Sequence, residues 1–318
     1  MSVAAINLDR ITKRFADHVA VNGVSLSVPS GGVFGLLGPN GAGKSTTIRM
    51  IMDILKPDEG TISLFGSASR GRNFSHRVGY LPEERGLYKK MRVFDHLLFL
   101  AEIRGLSRAD AKGRAHAWLD RLGIGEWTGK KVEDLSKGMQ QKVQFAGALV
   151  HDPDLLILDE PFAGLDPVNA QVMKDIVVDV AKEGKTVVLS THVMEQAERM
   201  CDQIAIIARG KLVLHGSVAQ VKSDFGGSHI ALGFNHGGER ADSILSDRQL
   251  VDKFDHYGAT VELQLAPGAS SDELLHRLVN ENISLRRFEI VEPSLNTIFI
   301  AKVGEEASVA TRTGEAHE

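Results

Sequence analysis

The stretch Leu36-Leu37-Gly38-Pro39-Asn40-Gly41-Ala42-Gly43-Lys44-Ser45-Thr46-Thr47-Ile48-Arg49-Met50 decides how the remainder of the chain is read. It passes from an apolar strand through a glycine-rich loop into a helix. Gly38, Gly43, Lys44 and Ser45 fit the spacing G-x-x-x-x-G-K-[ST]. Phosphate chemistry accounts for that spacing. Glycines let backbone N–H groups curl around an oxyanion, and the following helix points the positive end of its dipole at the same place. Lys44 adds a point charge at the β- and γ-phosphates, and the Ser45 hydroxyl is a candidate ligand for Mg²⁺. Pro39, Asn40, Gly41, Ala42 and Thr46 complete the loop. A plain turn between strand and helix would satisfy the bare pattern too. Context favours phosphate, because Val33-Phe34-Gly35-Leu36-Leu37 reads as a buried strand and Ile48, Met52 and Leu55 follow at helical spacing.

At 318 residues the chain has room for one large core and a smaller second domain. Hydrophobic content of 43% and charged content of 25% are those of an ordinary globular protein. A net charge of −4 gives no support for a nucleic-acid binder, which would carry a basic face. The single cysteine, Cys201, excludes an internal disulfide and reads as a small buried apolar residue. No segment approaches the roughly 18 apolar residues that span a bilayer. The most apolar one, from Val93 to Ile103, is interrupted by Asp95, His96 and Glu102. Nor does the N-terminus follow a signal-peptide pattern. These readings predict a cytosolic chain that reaches a membrane only through a partner.

On either side of the opening stretch the pattern alternates between strand and helix. Ile6-Asn7-Leu8-Asp9 and Val24 to Val28 read as strands, as do Thr61 to Phe65 and Val78 to Leu81. From about Val93 to Val150 the pattern is helical, with Ser107 and Asp110 as a helix start and Gly123 as a stop. Trp118 and Trp127 read as packing residues. Leu155-Leu156-Ile157-Leu158 is a continuous apolar run, as a central parallel strand should be. Asp166-Pro167 opens the next helix, with Asp as N-cap and Pro at the first helical position. Thr186 to Ser190, Ile204 to Ile207 and Lys211 to Leu214 are further strands. The sum is a doubly wound α/β core with a helical insertion at about 90–151. This core is expected to span residues 1–222. Residues 223–303 read as a small α+β domain, with strands at Thr260–Leu265 and Ser284–Val291 and a helix at Asp272–Val279. A tail over 304–318 reads as disordered.

Leu155 to Leu158 ends in Asp159-Glu160, two carboxylates at the carboxyl end of a buried strand, where ligands collect in open α/β sheets. Asp159 is expected to face the Mg²⁺ held by Ser45. Glu160, one residue on, would sit by a water poised for in-line attack on the γ-phosphate. An isolated acidic pair would be read as capping a turn; downstream of this loop it reads as catalytic.

Five segments now stand in order: Gly38–Thr46 (GPNGAGKST), Leu135–Lys142 (LSKGMQQK), Leu155–Pro161 (LLILDEP), Ala163–Asp166 (AGLD) and Ser190–His192 (STH). Together they resemble ATP-binding-cassette (ABC) ATPase subunits over about residues 4–220. The C-terminal stretch, closing with Glu292-Pro293-Ser294-Leu295-Asn296-Thr297-Ile298-Phe299, resembles the small extra domain of some exporter-type subunits. The resemblance implies a P-loop, RecA-like core with an antiparallel β subdomain, and ATP and Mg²⁺ as ligands. It places Phe15 on the adenine ring, where a π face holds any base, although a core aromatic at a strand end would look the same. Ser136 and Gly138 are implied to contact the γ-phosphate bound to a second copy, again from a helix N-terminus. Asp166 is implied to couple the two sites, and His192 to sense the γ-phosphate.

Two departures from the family pattern matter. Lys137 and Met139 stand where LSGGQ is usual, while Ser136 and Gly138 are kept. Glu83 stands where Gln is common; it keeps an oxygen ligand for the metal but adds negative charge beside Asp159 and Glu160. The implied function is the ATP-hydrolysing subunit of an exporter, working with a separate permease chain on the cytoplasmic face of the membrane. It would act as a head-to-tail dimer. The alternative is a soluble ABC-type ATPase acting on ribosomes or DNA, or as a regulatory switch. A GTPase is disfavoured because no N-K-x-D motif occurs.

Overall fold

The computed structural model describes residues 3–16, 18–68, 74–84, 86–225, 229–236, 238–258 and 260–303. The tail expected over 304–318 lies outside them. The chain divides into two compact units, Met1–Val218 with Lys302–Glu318, and Ala219–Ala301. Each is taken by itself.

The first unit opens with β1 (Ile6–Phe15), β2 (His18–Val28), β3 (Gly32–Leu37), α1 (Lys44–Ile51), β4 (Glu59–Leu64), β5 (Ser67–Ala68) and β6 (Val78–Leu81). Three helices follow: α2 (Val93–Ile103), α3 (Arg108–Arg121) and α4 (Lys137–Leu149). The unit ends with β7 (Leu155–Asp159), α5 (Pro167–Lys182), β8 (Thr186–Thr191), α6 (Met194–Met200), β9 (Gln203–Ala208) and β10 (Lys211–Ser217). Among the described residues the strands form two sheets in this unit. One is antiparallel, in the order β2-β1-β4-β5. The other runs β10-β9-β3-β8-β7-β6, parallel throughout except at β10.

Every residue of β7 and of β8 is buried, so both strands sit between layers and read as unbroken apolar runs. Phe34, Leu36, Leu155, Ile157, Val188 and Ile207 share one core with Ile48 and Ile51 of α1 and with Ile6, Leu8 and Leu26 of the antiparallel sheet. Helix α1 is therefore sandwiched between the two sheets. It ends sooner than its apolar spacing predicts. Asp53 takes φ 56°, and the N–H groups of Ile54 and Leu55 both return to Arg49 O. Met52 and Leu55 pack on the core from beyond the helix.

Parallel register brings four strand ends to one edge. Leu37 pairs with Thr191, Asp159 with Ser190, and Leu81 with Leu158. The residues that follow these pairs, Gly38, Glu160, His192 and Pro82, must then emerge side by side. This register fixes where chemistry can happen.

In the helical insertion, Ser107 caps α3 by accepting from Asp110 N–H at 3.2 Å. Its hydroxyl in turn donates to Asp110 Oδ2 at 2.6 Å, so the shorter carboxylate closes the box on the side chain. Trp118 packs with Leu98, Ala101, Ala111 and Val150. Two histidines are buried in this part, His96 at 1% exposure and His151 at 5%. Burial holds both imidazoles at about 4, well below their usual 6.5.

The second unit runs α7 (Val218–Asp224), β11 (His229–His236), α8 (Gly238–Leu245), β12 (Val251–Tyr257), β13 (Thr260–Leu265), α9 (Ser271–Asn280) and β14 (Ser284–Val291). Its antiparallel sheet has the order β12-β13-β11-β14 among the described residues. Ile230, Leu232, Val261, Leu263 and Leu265 pack with Ala241, Ile244, Leu274 and Leu278 of α8 and α9. The small α+β domain is present, with β11, α8 and β12 added to the elements read from sequence.

Because the folded imidazoles hold their protons less tightly than unfolded ones, their contribution to stability is present above about pH 6.5 and is lost as pH falls towards 4. At pH 5 each histidine should cost about 2 kcal/mol of stability relative to pH 7. Urea denaturation of His96→Leu at both pH values is expected to show a smaller drop than the parent chain; an equal drop would contradict this account.

Candidate nucleotide-binding site

Two backbone approaches explain the glycines of the loop. At Gly38 (φ 152°) an added Cβ would lie 2.1 Å from Ile207 O, and at Gly43 (φ 106°) 2.4 Å from Ala20 O. No side chain fits either place. The loop therefore wraps tightly against β2 and β9, and α1 starts at Lys44 with no side-chain cap and no acid in its first turn. An uncapped helix end with free N–H groups suits an anion. Lys44 is 5% exposed, and its Nζ donates to Gly38 O at 2.7 Å and to Pro39 O at 3.2 Å. The loop thus holds its own cation over the cradle.

A cleft of about 470 Å³ opens here, lined by Phe15, His18, Pro39 to Thr46, Glu83 and Glu160 among others. Phe15 is 45% exposed at the end of β1. It belongs to the cleft wall, and the core reading is set aside.

The acids meet the loop from β7. Asp159, 1% exposed, accepts at Oδ1 from Ser45 Oγ (3.2 Å) and from Ser190 Oγ (2.5 Å). Glu160 takes φ 48°, a conformation costing a non-glycine residue about 1–3 kcal/mol. Ser190 Oγ accepts the Glu160 N–H at 3.1 Å and so helps to hold that geometry. The Glu160 carboxylate lies 3.5 Å from Lys44 Nζ and 3.0 Å from His192 Nδ1. Tyr80, one strand over, is pushed up to about 12 by burial, with the charge of Asp159 adding to the effect. It stays a phenol at any working pH.

Mg²⁺ fits this donor set. Such an ion takes one or two carboxylates together with phosphate oxygens and water, not a protein cage. Ser45 from α1 and Asp159 from the end of β7 meet at 3.2 Å, as two protein ligands of such an ion would.

Ser136, Gly138 and Asp166 form a separate group and do not line the cleft. Ser136 caps α4 by accepting from Met139 N–H at 3.3 Å, and α4 has no acid in its first turn. Asp166 caps α5, accepting from Val168 and Asn169 N–H at 3.1 and 3.0 Å. Those bonds, the one from Asn169 N–H first, hold its carboxyl below the usual range. The two caps are neighbours. A Cβ at Gly138 would meet only Leu165 and Asn169, at 3.6 and 3.7 Å. Lys137 is exposed at the first position of α4.

Sequence reasoning gave Ser190 no role, yet it touches both acids. Its one prior signal was its place at the end of an apolar strand beside His192. Cys201 is buried, and burial pushes its thiol up to about 12, so it is no nucleophile.

A phosphate-binding loop, two strand-end acids and a histidine on a parallel sheet define a P-loop nucleotide hydrolase. A family model described as "ABC transporter" matches residues 21–163, and another, "ATP-binding protein DrrA1-3-like, C-terminal domain", matches residues 216–303. The chain is 42% identical over 299 residues to the "Uncharacterized ABC transporter ATP-binding protein YhaQ" of Bacillus subtilis, covering 94% of this chain and 98% of that one. It is 40% identical to the "Nod factor export ATP-binding protein I" of Burkholderia orbicola, over 71% of this chain and 75% of that one. A solved structure titled "Structure of ATP binding subunit of ABC transporter" superposes with a TM-score of 0.66 at 30% identity, over 70% of this chain and 93% of that one. The chain belongs to the ABC transporter ATP-binding proteins and is an ATPase.

Ser190→Ala should lower ATP turnover by about 10–100-fold and cost about 1–3 kcal/mol of stability, since it removes a buried hydrogen bond to the Asp159 carboxylate and the support of the Glu160 backbone. Unchanged turnover in steady-state assays would show that the two acids hold their places without it.

Proposed function

We propose that the chain powers an exporter whose membrane-spanning part is a separate chain. Two copies would close head to tail around two ATP molecules, each placing Ser136 and Gly138 against the nucleotide held by the other. One observation carries this reading: the N-terminal end of α4 at Ser136 and Gly138, with no acid in its first turn, lies apart from the cleft of its own chain. It has no phosphate to bind there unless one arrives from outside. Two further facts support it. A relative is named for Nod factor export, and no described helix is long and apolar enough to cross a membrane. Localisation would follow from the partner, on the cytoplasmic face, with no nucleic acid involved.

The chemistry follows from the residues. Phe15 stacks on the base, and the loop N–H groups with Lys44 hold the phosphates. Ser45 and Asp159, with Glu83 alongside, would hold Mg²⁺, which when bound neutralises phosphate charge. Glu160 is the base for the attacking water, and His192, bonded to it, faces the γ-phosphate side. Loss of that phosphate loosens the shared contacts and reopens the pair, which turns hydrolysis into movement of a partner.

Glu160→Gln should cut turnover by about 10²–10⁴-fold while leaving ATP binding intact. With ATP and Mg²⁺ it should elute as a dimer in size-exclusion chromatography. Normal turnover would remove Glu160 from the mechanism, and a monomeric ATP-bound variant would sink the shared-site reading.

A further inference from the structure

Beyond the end that carries Ser136, α4 turns two buried amide side chains towards two different loops. Gln141, 5% exposed, donates from Nε2 to Pro161 O at 3.2 Å, the carbonyl directly after Glu160. Gln144 donates from Nε2 twice, to Pro82 O at 3.2 Å and to Glu84 O at 3.3 Å. Those two carbonyls flank Glu83. Residues three apart on a helix are neighbours on its surface. One side of α4 thus holds both loops from which Glu160 and Glu83 enter the cleft.

Gln144 is chemically matched to its place. A carboxamide nitrogen has two N–H donors, one for each carbonyl. Among the described residues no backbone-to-backbone bond holds 82–84 or 86–87, so this amide is their tether to the fold. The amide is buried next to Val143, Phe145 and Ala146, on a helix that also buries Gln141 and Lys142. A buried amide is unfavourable unless its hydrogen bonds are made. Its Oε1 is buried with no partner among the described residues, so the donors alone justify the residue. A purely packing role would be served better by an apolar side chain of the same size.

We propose that Gln144 is a positioning residue for Glu83. It fixes the Pro82–Glu84 loop to the helix that begins at Ser136, so the reach of Glu83 into the cleft is set by α4. Through Gln141 the same helix bears on the Glu160 loop. A shift of α4, such as a phosphate drawn to its N-terminus would produce, moves both acids together. The inference rests on the reading that Glu83 approaches the metal or its water.

The test uses the full chain with Gln144→Met, which keeps length and removes the donors, and Gln144→Glu, which keeps shape and puts acceptors against the two carbonyls. Each is compared with Glu83→Ala and with the corresponding double variant. Two quantities are read: kcat for ATP, and the affinity for Mn²⁺ in the presence of the non-hydrolysable analogue AMPPNP, by electron paramagnetic resonance. Gln144→Met should lower kcat about 10-fold and weaken Mn²⁺ binding several-fold, with KM for ATP within about two-fold; Gln144→Glu should do the same or more. In the Glu83→Ala background both effects should vanish, because there is no carboxylate left to misplace. A loss that adds in full to that of Glu83→Ala marks a general structural role and overturns the proposal. So do Gln144 variants with parental kcat and Mn²⁺ affinity while Glu83→Ala is impaired, and in that case the Glu83 reading survives. If Glu83→Ala changes neither quantity, that reading falls and takes the proposal with it. Should Gln144→Met prove too unstable to purify, Gln144→Glu carries the same comparison.

Discussion

A carboxylate without access to water is the constraint on which this site depends. Asp159 stands at the end of a strand buried on both faces, where an unpaired charge would be strongly disfavoured. Hydroxyls from two different elements answer it: Ser45 from the first turn of α1 and Ser190 from the end of β8. The place of Ser190 opposite Asp159 is fixed by the parallel register of β7 and β8. The same Ser190 oxygen supports the strained backbone of Glu160, which then leans on Lys44 and His192. Charge burial, sheet register and catalytic geometry are three aspects of one arrangement, and a shift of any strand by a residue would break all three.

Most of this arrangement was legible in the residues because its parts are local. A glycine loop between an apolar strand and a helix, or Asp-Pro at a helix start, declares itself within a few positions. Where the reading failed, the determinant was distant or the pattern weak. The early end of α1 depends on a left-handed Asp53, which no apolar spacing reveals. In β11 a run buried from His229 to Gly233 shows no alternation, and in β12 the apolar Val251, Phe254 and Tyr257 stand three apart with charged or polar residues between them, so neither has the period of two that marks a strand. Ser190 and Gln144 act on partners 31 and about 60 residues away. Neither looks different from any other polar residue until the fold brings its partners near.

On the shared-site reading proposed above, dividing the phosphate contacts between the cleft and the caps of α4 and α5 has an energetic logic. Each helix end satisfies part of its own need: Ser136 covers one N–H of α4, and Asp166 two of α5. On that reading the N–H groups left over would make a weaker contact with a phosphate than the cleft does. A weak contact that forms only when a whole phosphate is present can be released by the loss of that phosphate. Strong binding at the caps would make release slow.

Cys201 gives the chain one further property. It is the sole thiol in 318 residues, buried and held far from ionisation. The folded protein is therefore silent towards thiol-directed probes, and a cysteine placed on the surface would be its single reactive position. Movements of α4 or of the Glu83 loop can be followed by site-directed labels in the parent sequence, without first removing a native cysteine from a core whose packing around Gly35 leaves little room for change.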